Sequence, residues 1–454
     1  MSGSAGLSDT TKSYRSQTFA SLESANYRRF YLGQGISLIG TWLQAAAVRW
    51  IVFDQTGSEP MLGVIEAANL MPGLFVGIIA GAVADRVVPR TMILAMETGQ
   101  MLLAFALAAT VFKDESSVWP MILILALARI CVTFELPSRQ VFLYEMVGAV
   151  NIPNAIALNS GLFNATRVIG PALAGVGLAV LGAPGCFLLN GVSYFAAIGA
   201  VLSIRTISSD SRTTSPRPFT VREVLGGLGY LRREPVIRNH FLLMAFFGLM
   251  GMGYEAMMPS FARKVVSTGV EGYGIILACA GAGATVGAFG IASLGGIRRK
   301  EWIVIAGMMI FSLSLGAGAG FHLWVPAYSP EWVRVLAGSL CLLGAGFGGV
   351  LFYAATQTRI QLVVPDHLRG RVMGIWMIVF SGSVPLGALW TGKAASIWGV
   401  SAVMGFSALL CFVTAVAVLV SGVLTRGISP ATGKPAGESV SESATPTPAG
   451  RRTD

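Results

Sequence analysis

The ionisable side chains of this 454-residue chain fall inside runs of apolar residues, where charge is costly and therefore informative. Arg49 and Glu66 lie at similar depths in two successive apolar runs. An ion pair between them would either lock two helices together or carry a coupling charge. Arg129 occupies the middle of a later run and Glu135 its end, and Arg167 lies in the run that follows, with Glu135 as its candidate partner. Glu255, next to Tyr254, has no cation within one turn of its own segment. Burial disfavours an unpaired carboxylate's charge, so Glu255 reads either as a proton-binding group or as a hydrogen-bonded structural acid. Gln34, Ser37, Thr41 and Gln44 recur every three or four residues and so share one helical face, a polar stripe suited to a cavity. Glu97 and Gln100 share another face and read as structural. An arginine in mid-membrane costs ~2.5–3.5 kcal/mol even on a lenient scale, so each of these groups needs a partner or a wet cavity. The chemistry on offer is charge pairing, proton exchange and recognition of a polar solute. No His-Glu-x-x-His, no pair of catalytic aspartates and no Walker sequence is present. The five cysteines are scattered without metal-like spacing. An enzyme is therefore not expected, nor a cofactor or a metal.

The elements that must position these groups are membrane helices. Hydrophobic residues make up 54% of the chain and charged ones only 12%, against ~25% charged in soluble domains. Twelve apolar runs, from Phe30–Phe53 to Val400–Leu424, are candidate spans of a hydrocarbon layer of ~30 Å. The fourth is expected to end at Phe134, and residues 137–140 to be cytoplasmic. The net charge of +10 invites a nucleic-acid partner, but its distribution argues against one. Most of the Lys and Arg residues fall on one side, and only Lys113, Arg263, Lys264, Arg334 and Lys393 on the other. That asymmetry places both termini in the cytoplasm and the protein in the inner (plasma) membrane. No cleavable signal peptide is evident. The expected organisation is a cytoplasmic tail (1–29), a six-helix bundle (30–204), a cytoplasmic linker (205–236), a second six-helix bundle (237–424) and a disordered tail (425–454). A weak repeat at an offset of 217 relates the halves, bringing Gly170 and Gly175 onto Gly387 and Gly392.

Between the second and third runs lies Gly81-Ala82-Val83-Ala84-Asp85-Arg86-Val87-Val88-Pro89-Arg90. Gly81 and Ala84 permit close backbone approach, Asp85 suits the positive end of a neighbouring helix, and Arg86 and Arg90 hold the turn on the cytoplasmic side. This pattern resembles the loop signature of the major facilitator superfamily, with Val88 and Pro89 in place of its usual glycine and one basic residue. Gly170-Pro171-x-x-Ala174-Gly175 is similar to the fifth-helix signature of exporters in that superfamily, with Ala174 replacing one glycine. The opening Phe30–Gln44, the segment Pro137-Ser138-Arg139-Gln140 and Arg369-Gly370-Arg371-Val372 resemble its transmembrane secretion effector branch.

The resemblance implies an all-α fold of twelve transmembrane helices in two pseudo-symmetric six-helix bundles. It implies a monomer that exports a small organic molecule (a drug, siderophore or secondary metabolite) by alternating access, in exchange for protons. The 81–90 loop would then be a conformational switch, and Arg129, Glu135, Arg167, Glu255, Glu66 and Arg49 candidates for transport and coupling. An uptake symporter would share the architecture, and only the Gly170–Gly175 signature opposes it. A non-transporting receptor would carry a soluble sensor domain, and the sequence shows none. The substrate cannot be read from these residues.

Overall fold

The computed structural model describes residues 20–84, 86–112, 117–204, 229–293 and 300–424, and among them the chain is helical, without strands. Helix α1 (Ala25–Thr56) begins where the Ser24 side chain accepts a hydrogen bond from the Tyr27 amide. It ends at Gly57, whose left-handed φ of 59° turns the chain into α2 (Glu59–Ala84). Helix α3 spans Pro89–Phe112. The long run Trp119–Ser203 is broken where Gly148 (φ 71°) and Gly182 (φ 65°) leave helical geometry. These breaks divide it into α4 (Trp119–Gly148), α5 (149–181) and α6 (183–203). The second half contains α7 (Pro235–Val266), α8 (Val270–Ser293), α9 (Lys300–Ala319), α10 (Glu331–Val363), α11 (Asp366–Trp398) and α12 (Val400–Ser421). Eleven of these are long and apolar enough to cross a bilayer, and α5 supplies a helix where the fifth span is expected. The linker, apart from its last residues, and the C-terminal tail lie outside the described residues.

Two helices overrun their expected spans. Helix α4 continues through Pro137 to Gly148, and α10 continues to Val363. A proline interrupts a membrane helix less readily than a soluble one, because neighbouring groups can satisfy the freed carbonyl. The consequence is chemical: Arg139 and Arg359 are helical residues inside bundles, not loop cations.

Helices α1 and α3 pack on the α4–α6 run, while α10 packs on α8 and α9, and α9 on α12. The halves meet chiefly through α2 against α11 and through the α4–α6 run against α8. Leu102, Phe195, Phe289, Leu340 and Leu409 point outward, the placement expected of side chains whose solvent is lipid. Helix α7 is not uniform: π-helical turns at Phe247–Gly251 and Phe261–Val266 flank the α-helical Tyr254–Ser260. Such turns re-aim the side chains beyond them, here Tyr254 and Glu255.

Candidate functional site

Polar groups from both halves converge between the bundles. Arg49 of α1 donates to Glu66 Oε2 of α2 from Nη2 at 3.0 Å and from Nε at 3.2 Å. Both side chains are mostly buried. Arg49 is also within electrostatic reach of Tyr273 on α8 and of Glu255 on α7, so Glu255 is not isolated from cations. Trp50, next to Arg49, stacks on the Tyr273 ring with centroids 5.1 Å apart. Arg129 of α4 feels the Glu66 charge, but it makes no ion pair among the described residues. Among the described residues its buried Nε finds no hydrogen-bond acceptor, and neither does the Tyr273 hydroxyl. The cluster thus holds two arginines, two carboxylates and two unmet donors, a composition suited to a polar solute.

At the end bearing the α1–α2 turn, the bundles are tied together. Arg263 on α7 pairs with Asp54 at 3.0 Å and lies over the Trp50 ring. Lys264 contacts Glu59, which also accepts from Ser260 Oγ at 2.9 Å. Small residues let α2 and α11 touch here. A Cβ on Gly63 would lie 3.0 Å from Leu389 Cα, and one on Gly392 would lie 3.2 Å from Pro60 Cα. Toward the α2–α3 end the glycines of these helices have fewer neighbours. A Cβ on Gly382 would only just reach Leu74, at 4.0 Å, and one on Gly81 or Gly370 would meet nothing within 4 Å.

Within the first bundle, toward the α2–α3 end, lies a second polar cluster. Gln34 donates to Glu97 Oε1 at 2.6 Å, and Gln100 donates to Glu135 Oε2 at 2.7 Å. Tyr194 of α6 donates to Gln100 Oε1 at 3.1 Å. Arg139 contacts Glu135 and lies 4.0 Å from Glu97. In the second bundle Arg359 of α10 pairs with Glu301 of α9 at 2.6 Å.

The remaining residues singled out by sequence fall as follows. Glu135 is held by Arg139 and Gln100, because α4 continues a further turn and more, while the side chain of Arg167, its expected partner, lies outside the described residues. The stripe on α1 is met by protein: Gln34 turns to Glu97 and Gln44 accepts from Asn190 on α6 at 2.8 Å, while Thr41 is exposed and donates to the Ser37 carbonyl. Gly170 lies against Trp42 of α1 and Ala174 is fully buried, while the surroundings of Pro171 and Gly175 lie outside what is described. Gly81 and Ala84 close α2, Arg86 is exposed, and Arg90 donates to the Leu202 carbonyl at 2.8 Å. Asp85 lies outside the described residues. Sequence reasoning missed the Asp54–Arg263 and Glu59–Lys264 contacts, although Arg263 and Lys264 stood out as cations on the poorly charged side.

The sequence profile of a family described as transmembrane secretion effector matches residues 16–428. The chain is 24% identical over 389 residues to the staphyloferrin A transporter of Staphylococcus aureus, covering 84% of this chain and 93% of that one. It is 20% identical over 384 residues to macrolide efflux protein A of Streptococcus pyogenes, covering 82% and 89% respectively. Among solved structures, the nucleoside transporter NupG superposes with a TM-score of 0.68 at 13% identity, covering 87% of this chain and 98% of that one. That likeness speaks to the fold alone.

Proposed function

Because the chain belongs to the transmembrane secretion effector family of the major facilitator superfamily, we propose that it exports a small organic molecule by alternating access, in exchange for protons. The observation that carries this is the asymmetry of the interface between the bundles. They are latched by ion pairs and small residues at the α1–α2 end, and toward the α2–α3 end their glycines have fewer neighbours. With the charge asymmetry of the loops, that second end is the cytoplasmic one, so the Arg49–Glu66–Arg129 cluster receives solute from the cytosol. Arg129 and the Tyr273 hydroxyl offer unmet donors to it. Export is favoured over uptake by the Gly170–Gly175 signature and by relatives named for macrolide and multidrug efflux.

The protein sits in the plasma membrane with both termini cytoplasmic and works as a monomer. The Gly81–Arg90 turn, with Asp85, switches the two states. The experiment is a comparison of cytosolic metabolites in a strain lacking the gene and in the same strain restored. Export predicts that at least one compound accumulates in the mutant cytosol and is depleted from the medium. Depletion from the cytosol, with accumulation outside, would assign uptake instead.

A further inference from the structure

We propose that Glu97 and Glu135, gripped by Arg139 inside the first bundle, form a proton-binding site whose proton resides on Oε2 of Glu97 and is exchanged during transport. The exchange rests on the proton-coupled reading above; the binding site itself does not. Both acids are buried, Glu97 at 1% exposure, and they approach the same nitrogen, Arg139 Nη2. Among the described residues, four helices present groups to them. Helix α1 contributes Gln34, α3 contributes Gln100, α4 contributes Cys131 and Arg139, and α6 contributes Tyr194. Among the described residues, two carboxylates therefore share one guanidinium. With both ionised the cluster keeps a net negative charge in an apolar bundle, and one proton neutralises it.

The hydrogen bonds say where that proton goes. Glu97 Oε1 accepts from Gln34, Glu135 Oε2 accepts from Gln100, and Glu135 Oε1 is taken by Arg139. Gln100 keeps the donor's role, because its nitrogen also donates to the Met96 carbonyl, which can only accept, while its oxygen accepts from Tyr194. Glu97 Oε2 alone in the pair is buried with no donor among the described residues, which leaves it the oxygen free to form an O–H bond. Arg139 is the partly exposed member, at 23%, and marks the side from which water delivers or removes the proton.

Charge balance separates this site from the acids of the central cluster. Glu66 and Glu255 face Arg49 and Arg129, two acids against two cations. In the second bundle Glu301 has Arg359 to itself. An acid in excess of its cations occurs, among these three described clusters, only at Glu97. The site also has a mechanical link to the solute. Helix α4 carries both Arg139 and Arg129, ten residues or roughly 15 Å apart along its axis, and α1 carries both Gln34 and Arg49. Neutralising Glu97 loosens its hold on Arg139 and Gln34 and so frees α1 and α4 to move.

The test uses the purified full chain in lipid, with the proton as the only ligand. Infrared spectra recorded across pH should show a carboxylic acid C=O band that titrates in the wild type. The band should persist in Glu66→Gln and Glu255→Gln and disappear in Glu97→Gln. Glu135→Gln and Gln34→Leu should retain it with the midpoint displaced by about one pH unit or more, since each removes a neighbour of Glu97. An unaltered band in Glu97→Gln overturns the assignment. If that variant fails to insert, unmoved midpoints in both Glu135→Gln and Gln34→Leu overturn it equally. A protonophore added to cells distinguishes the two levels. Export by the wild type that survives a collapsed proton gradient, with the Glu97 band still titrating, removes the exchange and leaves the binding site.

Discussion

An arginine in mid-membrane that makes no ion pair is retained only where something else meets its cost, and among the described residues Arg129 is such a residue. The charge it feels is Glu66, already engaged by Arg49. If a solute group completes it, Arg129→Ala removes a charge-assisted hydrogen bond of ~1.5–3 kcal/mol, and export per inserted molecule should fall about tenfold or more. Near-normal export at normal membrane levels would return Arg129 to a packing role. Arg49 and Glu66 behave differently, because each leaves the other stranded. Arg49→Met or Glu66→Met alone should cost ~3–5 kcal/mol, while the double variant should cost less than either. Thermal unfolding of the purified proteins checks this, and additive losses would show that the pair is not a unit. The Arg49–Glu66 pair is legible in sequence, because two long side chains at equal depth in adjacent spans can meet. Glu135 is not, because its partner one turn along lies beyond Pro137, where an apolar-run criterion ends the span although the helix goes on.

Elements are set apart by glycines that do different work in similar motifs. Gly170 faces Trp42 within the first bundle, so Gly170→Val forces the α1–α5 contact open. Overpacking of this kind costs ~1–3 kcal/mol, and the expected outcome is a lower melting temperature and a reduced yield of inserted protein. Gly63 faces Leu389 across the bundle interface, where the proposed alternating access requires the contact to break in each cycle. Gly63→Leu should leave the melting temperature of the bundles nearly unchanged and reduce export, by holding α2 and α11 apart at the α1–α2 end. A melting loss equal to that of Gly170→Val would show that the interface is part of a single rigid core. Sequence periodicity locates both glycines on small-residue faces, but a helix has no label for which neighbour it meets, and that is fixed only when twelve helices pack at once. Helix α7 shows the same limit: it carries π-helical turns at Phe247–Gly251 and Phe261–Val266 that no residue pattern in 235–266 announces.

At the scale of the whole molecule, two bundles that alternate between states need a latch whose strength is modest, since a strong one would trap a single state. The contacts at the α1–α2 end have that character. Asp54 and Arg263 are both about half exposed, and Lys264 is exposed while Glu59 is buried. Exposed pairs contribute ~0.2–1 kcal/mol each, so the two together are worth on the order of 1–2 kcal/mol, a factor of roughly 5–30 in a two-state equilibrium. Asp54→Asn combined with Glu59→Gln should therefore shift the population toward a form open at this end without unfolding either bundle. Ala388 provides a reporter, because it is buried against Gly63 in the latched state. A cysteine placed there by Ala388→Cys should react slowly with a membrane-impermeant maleimide added outside cells. Its rate should rise about 5–30-fold when the latch is neutralised, with the five native thiols measured as a blank. Raising ionic strength should have a weaker effect in the same direction in the latched protein and none in the double variant, because screening acts only on charges that are present. Equal labelling rates with and without the two substitutions would mean that α2–α11 packing alone holds this end shut.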